Sequence, residues 1–117
     1  MADISMIRGD DTYIMLIPTI DGEFQLLSEG DVLRLRVFDG SGDVIISKTA
    51  TAADQNRETG EVCVKIAAAD TQGLDIDKTQ EFIWEAELHI AINGDYYTPF
   101  WDRTLEIRPD RITPETR

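Results

Sequence analysis

Residues 82–92 read FIWEAELHIAI, and an apolar side chain stands at every second position of this segment. Three of the positions between them carry Glu85, Glu87 and His89. On a helix these polar side chains would be scattered around the axis, whereas on a strand successive side chains point to opposite faces. The segment is therefore predicted to be a half-buried β-strand, with an inner face made of Phe82, Trp84, Ala86, Leu88, Ile90 and Ile92.

The same period of two recurs in shorter segments. Residues 32–38 (VLRLRVF), 61–66 (EVCVKI) and 104–108 (TLEIR) alternate apolar with polar side chains, as half-buried strands do. Two further runs are less clear, because Tyr13–Ile17 is apolar on both faces and 43–48 fits either register. A strand that is apolar on both faces is typical of the centre of a fold, or of a face that a partner covers.

The breaks between these segments are rich in turn residues. Asn93-Gly94, between two apolar runs, predicts a tight β-hairpin, because both residue types tolerate positive φ. The strongest helical segment is 67–73 (AAADTQG), which predicts a single turn ended by Gly73. About seven or eight strands with almost no helix predict an all-β fold, an antiparallel β-sandwich.

Length and charge restrict the function. The 117 residues fit one domain, predicted as a sandwich over 1–108 followed by a polar tail over 109–117. With 23 acidic and 11 basic side chains the net charge is −12, which excludes nucleic acid and anionic membrane surfaces as main partners. The single cysteine, Cys63, has no internal disulfide partner. Acidic Asp3 near the start and the lack of a long apolar run predict neither signal peptide nor membrane span.

The two faces of the 13–17 run are assigned differently. Ile14 and Leu16, with Pro18 ending the run, are the candidate partner surface, because the edge strands of a sandwich have unpaired backbone groups. The alternative is that these side chains are buried under the opposite sheet or a loop. The predicted core takes the other face and consists of Tyr13, Met15, Ile17, Leu33, Leu35, Val37, Val62, Val64, Ile66, Phe82, Trp84, Leu88, Ile90, Leu105 and Ile107.

Taken in order, the segments resemble a known group of proteins. The stretches that carry the resemblance are 8–13 (RGDDTY), 29–35 (EGDVLRL), 60–62 (GEV), 69–74 (ADTQGL), 82–88 (FIWEAEL), 104–107 (TLEI) and 112–113 (IT). Their order and rough spacing resemble the small β-sandwich proteins of tailed phages and prophages, including the N-terminal domain of the baseplate upper protein. The resemblance implies an immunoglobulin-like sandwich that acts in a virion by assembly and not by catalysis.

Catalytic and metal-binding constellations are weak in this sequence. Cys63 and His89 lack a third member that would orient a nucleophile–base pair, and Glu85 with Glu87 fits a solvated strand face. We therefore expect no catalytic residue, no cofactor and no enzyme activity. The acidic pairs Asp39/Asp43 and Asp75/Asp77 could supply oxygen ligands to calcium, but neither stretch has the spacing of a twelve-residue calcium loop. Hairpin turns are the favoured interpretation of these acidic loops.

Four aromatic residues follow the predicted hairpin: Tyr96, Tyr97, Phe100 and Trp101. They are the candidate ligand patch, because exposed aromatic rings can stack on sugars; the alternative is that they close the core or form an interface.

The sequence thus predicts a non-catalytic structural or accessory protein of a phage or prophage tail, baseplate or head surface. Its expected partners are other virion proteins or further copies of itself, and its expected location is the virion, or the host cytoplasm before assembly. The alternative is a carbohydrate- or calcium-binding module of a bacterial surface or enzyme complex.

Overall fold

The computed structural model of this protein describes residues 3–110. Strands account for 52% of it and helix for 7%, which confirms the all-β class. In this described range, helix is confined to a 3₁₀ turn at Ala52–Asp54 and to α1 (Ala68–Gln72). The strands are β1 (Ile4–Ile7), β2 (Thr12–Leu16), β3 (Thr19–Ile20), β4 (Glu23–Phe24), β5 (Val32–Phe38), β6 (Val44–Ala50), β7 (Val62–Ile66), β8 (Gln80–His89) and β9 (Tyr96–Arg108).

The strands form one large sheet and two small ones. The large sheet has five strands in the order β1-β9-β8-β5-β6, while β2 pairs with β7 and β3 pairs with β4. Among the described strands every pairing is antiparallel except that of β1 with β9, in which Ile4 stands beside Leu105 and Ile7 beside Arg108. The purely antiparallel arrangement predicted from the sequence is therefore wrong at this edge. The large sheet is mixed, and it curls so that β6 approaches β7.

The predicted hairpin between β8 and β9 is confirmed. The amide of Ile90 donates to the carbonyl of Asp95 (2.9 Å), that of Gly94 donates to the carbonyl of Ile90 (2.8 Å), and Gly94 has φ 74°. The predicted helical turn is also present as α1, which ends at Gly73. The chain already leaves β8 after His89, so Ile92 lies in the turn and is 94% exposed. Its predicted place on the inner face of the strand is wrong.

The core lies between the inner face of the large sheet and the pair β2–β7. Of the predicted core residues, ten are buried: Leu33, Leu35, Val37, Val62, Val64, Ile66, Trp84, Leu88, Leu105 and Ile107. Phe82 and Ile90 are partly buried and pack against this cluster. The core also takes in Met6 of β1 and Leu27 of the β4–β5 loop, which no alternating pattern indicates. Long loops therefore contribute to the interior along with the strands.

The orientation of β2 is the reverse of the predicted one. Ile14 and Leu16 are each 5% exposed and Pro18 is buried, whereas Tyr13 is 61% exposed and Met15 54%. Ile17 is exposed as well. Directly opposed residues of an antiparallel pair share a face of the sheet. Because Ile14 stands opposite buried Val64, and Leu16 opposite buried Val62, these residues face the core.

The end of the described chain is held by an ion pair. Arg8 binds the carboxylate of Asp110 through Nη2 (2.7 Å) and Nε (2.8 Å), and its Nη1 donates to the carbonyl of Leu74 (2.9 Å). Asp110, which the sequence assigns to the polar tail, is thus packed against the β1–β2 turn. The rest of the predicted tail, 111–117, lies outside the described residues.

Candidate functional site

The outward face of β2 is apolar and open to solvent. Tyr13, Met15 and Ile17, here called the β2 outer face, point away from the core, and Lys65 on β7 places Nζ 5.5 Å from the centre of the Tyr13 ring. The solvent side of an antiparallel sheet is usually polar. The sequence placed these three residues in the core because a run that is apolar on both faces gives no sign of which face is inside. Only the pairing of β2 with β7 shows which face of β2 is buried.

One edge of β2 has no strand beside it. Within residues 3–110, β2 pairs only with β7, so the backbone groups on its other side take part in no sheet. The sequence of β2 is TYIML, with no proline, glycine or charged residue between Thr12 and Leu16. Proteins commonly protect an exposed edge with proline, a bulge or an inward-pointing charge. This edge has none of these protections.

A groove runs along the free edge of β2. Its volume is about 320 Å³, and its apolar lining includes Ile4, Ile14, Leu16, Trp84 and Phe100. We call it the β2 groove. It lies where the small sheet ends at β2, so within residues 3–110 no further strand of that sheet lies beside Trp84 on β8 and Phe100 on β9. Trp84 is nevertheless buried; its indole Nε1 donates to the carbonyl of Thr104 (3.0 Å) and its ring stacks on Phe100.

Polar side chains form the rim of the groove. The Asp3 carboxylate accepts hydrogen bonds from the amide (2.9 Å) and the hydroxyl (3.1 Å) of Thr104, and Arg103 lies 3.9 Å away. The amide of Thr104 is the main reason why the pKa of Asp3 is lowered. Arg103 also lies over the Phe100 ring, 6.0 Å from its centre. The one arginine on the rim therefore sits beside an aspartate.

Of the four aromatic residues after the hairpin, Phe100 and Tyr96 line two different cavities, and Tyr97 and Trp101 line neither. Phe100 stacks on Trp84 at 5.9 Å and lines the β2 groove. Tyr96 is 64% exposed and stacks on His89 at 4.4 Å, next to a small pocket of about 110 Å³ that also includes Arg34 and Glu87. Trp101 is exposed too. The predicted patch is therefore not one continuous platform.

Irregularities in β9 explain why its aromatic side chains point to different places. Its register against β8 shifts twice, between Trp84 and Ala86 and between Ala86 and Leu88. Asp102 has φ 53°, in the left-handed region. Extra residues at such bulges turn side chains away from strict alternation.

The other candidate chemical groups do not come together. Cys63 lies on β7 opposite Met15, whereas His89 lies on β8 opposite Tyr96, in a different sheet. In the acidic 39–43 loop, Oδ1 of Asp39 accepts the amides of Ser41 (2.9 Å) and Asp43 (3.0 Å), which is turn geometry. In the described part of the chain, no group of three or more His, Cys, Asp or Glu side chains is placed to hold a metal ion.

No protein-family model matches this sequence, and no curated protein matches it with statistical significance. Across residues 3–110, no helix is long and apolar enough to cross a membrane. The candidate site that the geometry defines is a contact surface, made of the β2 outer face, the free edge of β2 and the β2 groove.

Proposed function

We propose that this protein is a non-catalytic structural or accessory component of a phage or prophage virion, in the tail, the baseplate or the head surface. It acts by binding other virion proteins or further copies of itself. The resemblance of its ordered segments to small phage β-sandwich proteins supplies the setting. The same resemblance supports an immunoglobulin-like sandwich as the finer description of the fold, with β2 and β7 facing the large sheet.

The observation that carries the proposal is the apolar β2 outer face. The centre of a protein–protein interface is depleted of charged residues and enriched in aromatic residues and methionine. Tyr13, Met15 and Ile17 match that composition, with Tyr13 and Met15 on β2 and Ile17 directly after its last residue. The acidic side chains elsewhere, which give a net charge of −12, keep such a surface soluble until its partner arrives.

The setting is tested first by the genes that flank this one, which should encode tail, baseplate or lysis proteins. The full chain is then co-expressed with the proteins that those genes encode, and the mass of any complex is measured by light scattering. We expect a stable complex with at least one of them, or a defined oligomer of the chain itself. Flanking genes unrelated to phage assembly, together with a monomer that binds none of their products, would contradict the proposal.

The contact surface is tested with a matched pair of variants. Tyr13→Thr with Met15→Thr places β-branched residues, which favour strands, at both positions but removes the apolar surface, and we expect it to abolish the complex. The control is Val44→Thr with Ile83→Thr, since these exposed apolar side chains lie on the large sheet. The control should still assemble. Equal binding by both variants would show that the β2 outer face is not the interface.

The exposed Tyr96 favours sugar binding as a second candidate function. Its ring is stacked on His89 beside Arg34 and Glu87, so an apolar face and hydrogen-bonding groups adjoin the same small pocket. A carbohydrate-binding module should bind members of a glycan array, and Tyr96→Ala should remove that binding without lowering stability. A chain that binds no glycan on the array excludes this function.

A further inference from the structure

The unequal size of the two facing sheets leaves room for one more strand. The large sheet has five strands and the sheet opposite has two, β2 and β7. Trp84 and Phe100 on the inner face of the large sheet line the β2 groove, beyond the edge of β2. A third strand paired with β2 would lie over these two rings. The groove therefore has the position that a missing strand of the small sheet would occupy.

The free edge of β2 is more regular than the uncovered stretch of β9, which also borders the groove. Within residues 3–110 the large sheet also has a stretch without a neighbouring strand, because β1 pairs with β9 only from Leu105 to Arg108. That stretch contains Pro99, the positive φ of Asp102 and both register shifts, which are features that prevent regular strand pairing. Thr12–Leu16 has no bulge against β7 and no such residue. A strand arriving at this groove therefore finds a more regular edge on β2 than on the uncovered part of β9, and β1, the outermost strand of the large sheet, offers only four residues.

The charges around the groove indicate what kind of segment fits. Asp11 precedes the first residue of β2, and Asp3 lies on the rim. Beyond Phe100 along β9, the hydroxyl of Tyr97 donates to Oδ2 of Asp95 (3.3 Å), and the β3–β4 turn that carries Asp21 follows a strand in contact with β9; Asp95 and, less strongly, Asp21 raise the pKa of Tyr97. The nearby cations are already beside carboxylates, with Lys65 4.0 Å from Asp11 and Arg103 3.9 Å from Asp3. The surroundings are thus acidic on balance, as is the whole chain.

We propose that the β2 groove is a strand-addition site for an extended segment of a partner protein, with apolar side chains at alternate positions and lysine or arginine at its ends. The segment pairs with the free edge of β2 through its backbone, inserts its apolar side chains over Trp84 and Phe100, and places its basic ends near the surrounding aspartates. The inference rests on the proposed function for its setting and names the chemistry of the partner. A second copy of this chain fits less well, because it would bring another strongly acidic surface to the same place.

The first experiment selects ligands without assuming a partner. A display library of short random peptides is panned against the full-length protein, and the enriched sequences are read. We expect alternating apolar residues flanked by lysine or arginine. Enriched sequences that lack alternation, or that carry acidic ends, would overturn the proposal, as would a library from which nothing is enriched.

The second experiment asks whether the selected peptide adds as a strand. Amide hydrogen exchange of the labelled protein is compared with and without peptide, and the indole N–H of Trp84 serves as a reporter of the groove floor. We expect slower exchange at Thr12–Leu16 and a shifted Trp84 signal. N-methylation of the peptide amides on one edge should weaken binding at least about tenfold, since it removes several hydrogen bonds. Undiminished binding of the methylated peptide, or changes confined to other strands, would refute strand addition.

The third experiment tests the charge. Asp21 has φ 54°, which asparagine also tolerates, so Asp21→Asn removes one carboxylate without a new backbone demand. Asp43→Asn in the β5–β6 turn is the matched control. At low salt we expect weaker peptide binding for Asp21→Asn and unchanged binding for the control. Equal binding by the two variants would remove the electrostatic part of the proposal.

The results of these experiments also distinguish a failure of strand addition from a failure of the proposed function. A complex with a flanking-gene product that forms without protection of the β2 amides would overturn strand addition and leave assembly standing. If the groove binds peptides but the chain joins no virion protein, strand addition would stand and the proposed function would be overturned. Protection of β2 that rises with protein concentration in the absence of peptide would show that a second copy occupies the edge, and would also overturn the proposal.

Discussion

The orientation of β2 predicts effects of very different size for alanine at two adjacent positions. Ile14 is buried against the core and Met15 is more than half exposed, although both are large apolar residues of the same strand. Replacing a buried isoleucine by alanine typically lowers the free energy of unfolding by about 2–5 kcal/mol, because apolar contacts are lost and a cavity remains. An exposed substitution typically changes it by about 0.5 kcal/mol or less. Ile14→Ala should therefore destabilise the protein several times more than Met15→Ala.

The size of the larger effect makes it easy to measure. A domain of this length loses about 4 °C in Tm for each kcal/mol, so Ile14→Ala should melt roughly 8–20 °C below the wild type. Met15→Ala should melt within about 2 °C of it. Urea unfolding followed by far-UV circular dichroism gives the free energies directly. If Met15→Ala is the more damaging change, β2 has the orientation predicted from the sequence, and both the β2 outer face and the β2 groove are wrongly assigned.

Three further predictions concern the rim, the core and a turn. Trp84→Ala should cost about 3–5 kcal/mol and Trp84→Phe less, as measured by urea unfolding; an alanine variant that melts within a couple of degrees of the wild type would contradict this. The pKa of the Asp3 carboxyl group is lowered from its ordinary value of 3.8. The ionised carboxylate therefore stabilises the folded protein above pH 3.8, and this stabilisation is lost as the pH falls through the folded-state pKa. The stability difference between wild type and Asp3→Asn should thus be seen at pH 7 and shrink in acid, whereas a constant difference would refute the role of the charge. Gly60 has φ 81°, and a Cβ there would lie 2.7 Å from Cδ2 of Phe24, so Gly60→Ala should be destabilising by about 1 kcal/mol or more in thermal melting. Adding Phe24→Ala should restore part of the lost stability. Full restoration would mean that the positive φ of Gly60 contributes nothing to the loss.

Much of the fold could be predicted where one face of a strand is polar. In β5 and β7 the charged residues mark the solvent side, so the buried residues follow from alternation alone. In β2 neither face is polar, and the side that is buried depends on which strand pairs with it. That pairing joins segments about fifty positions apart in the chain, and nothing in the local pattern encodes it.

The site was less predictable than the fold, for a related reason. The aromatic residues of β9 were found from the sequence, but two bulges decide which of them turn toward Trp84 and which toward solvent. The β2 groove itself belongs to no motif. It arises from the difference between five strands in one sheet and two in the other, which can be read only once all pairings are known.

The parallel pair β1–β9 restricts the order in which this protein can fold. The amide of Thr104 donates a hydrogen bond to the carboxylate of Asp3, 101 positions away, at the point where β1 pairs with β9. The β8–β9 hairpin closes a short loop and can form early, whereas β1 has no place to dock until β9 exists. On the ribosome the first strand to be synthesised must therefore wait for the last to emerge, and the edge of the large sheet is completed only after synthesis of β9.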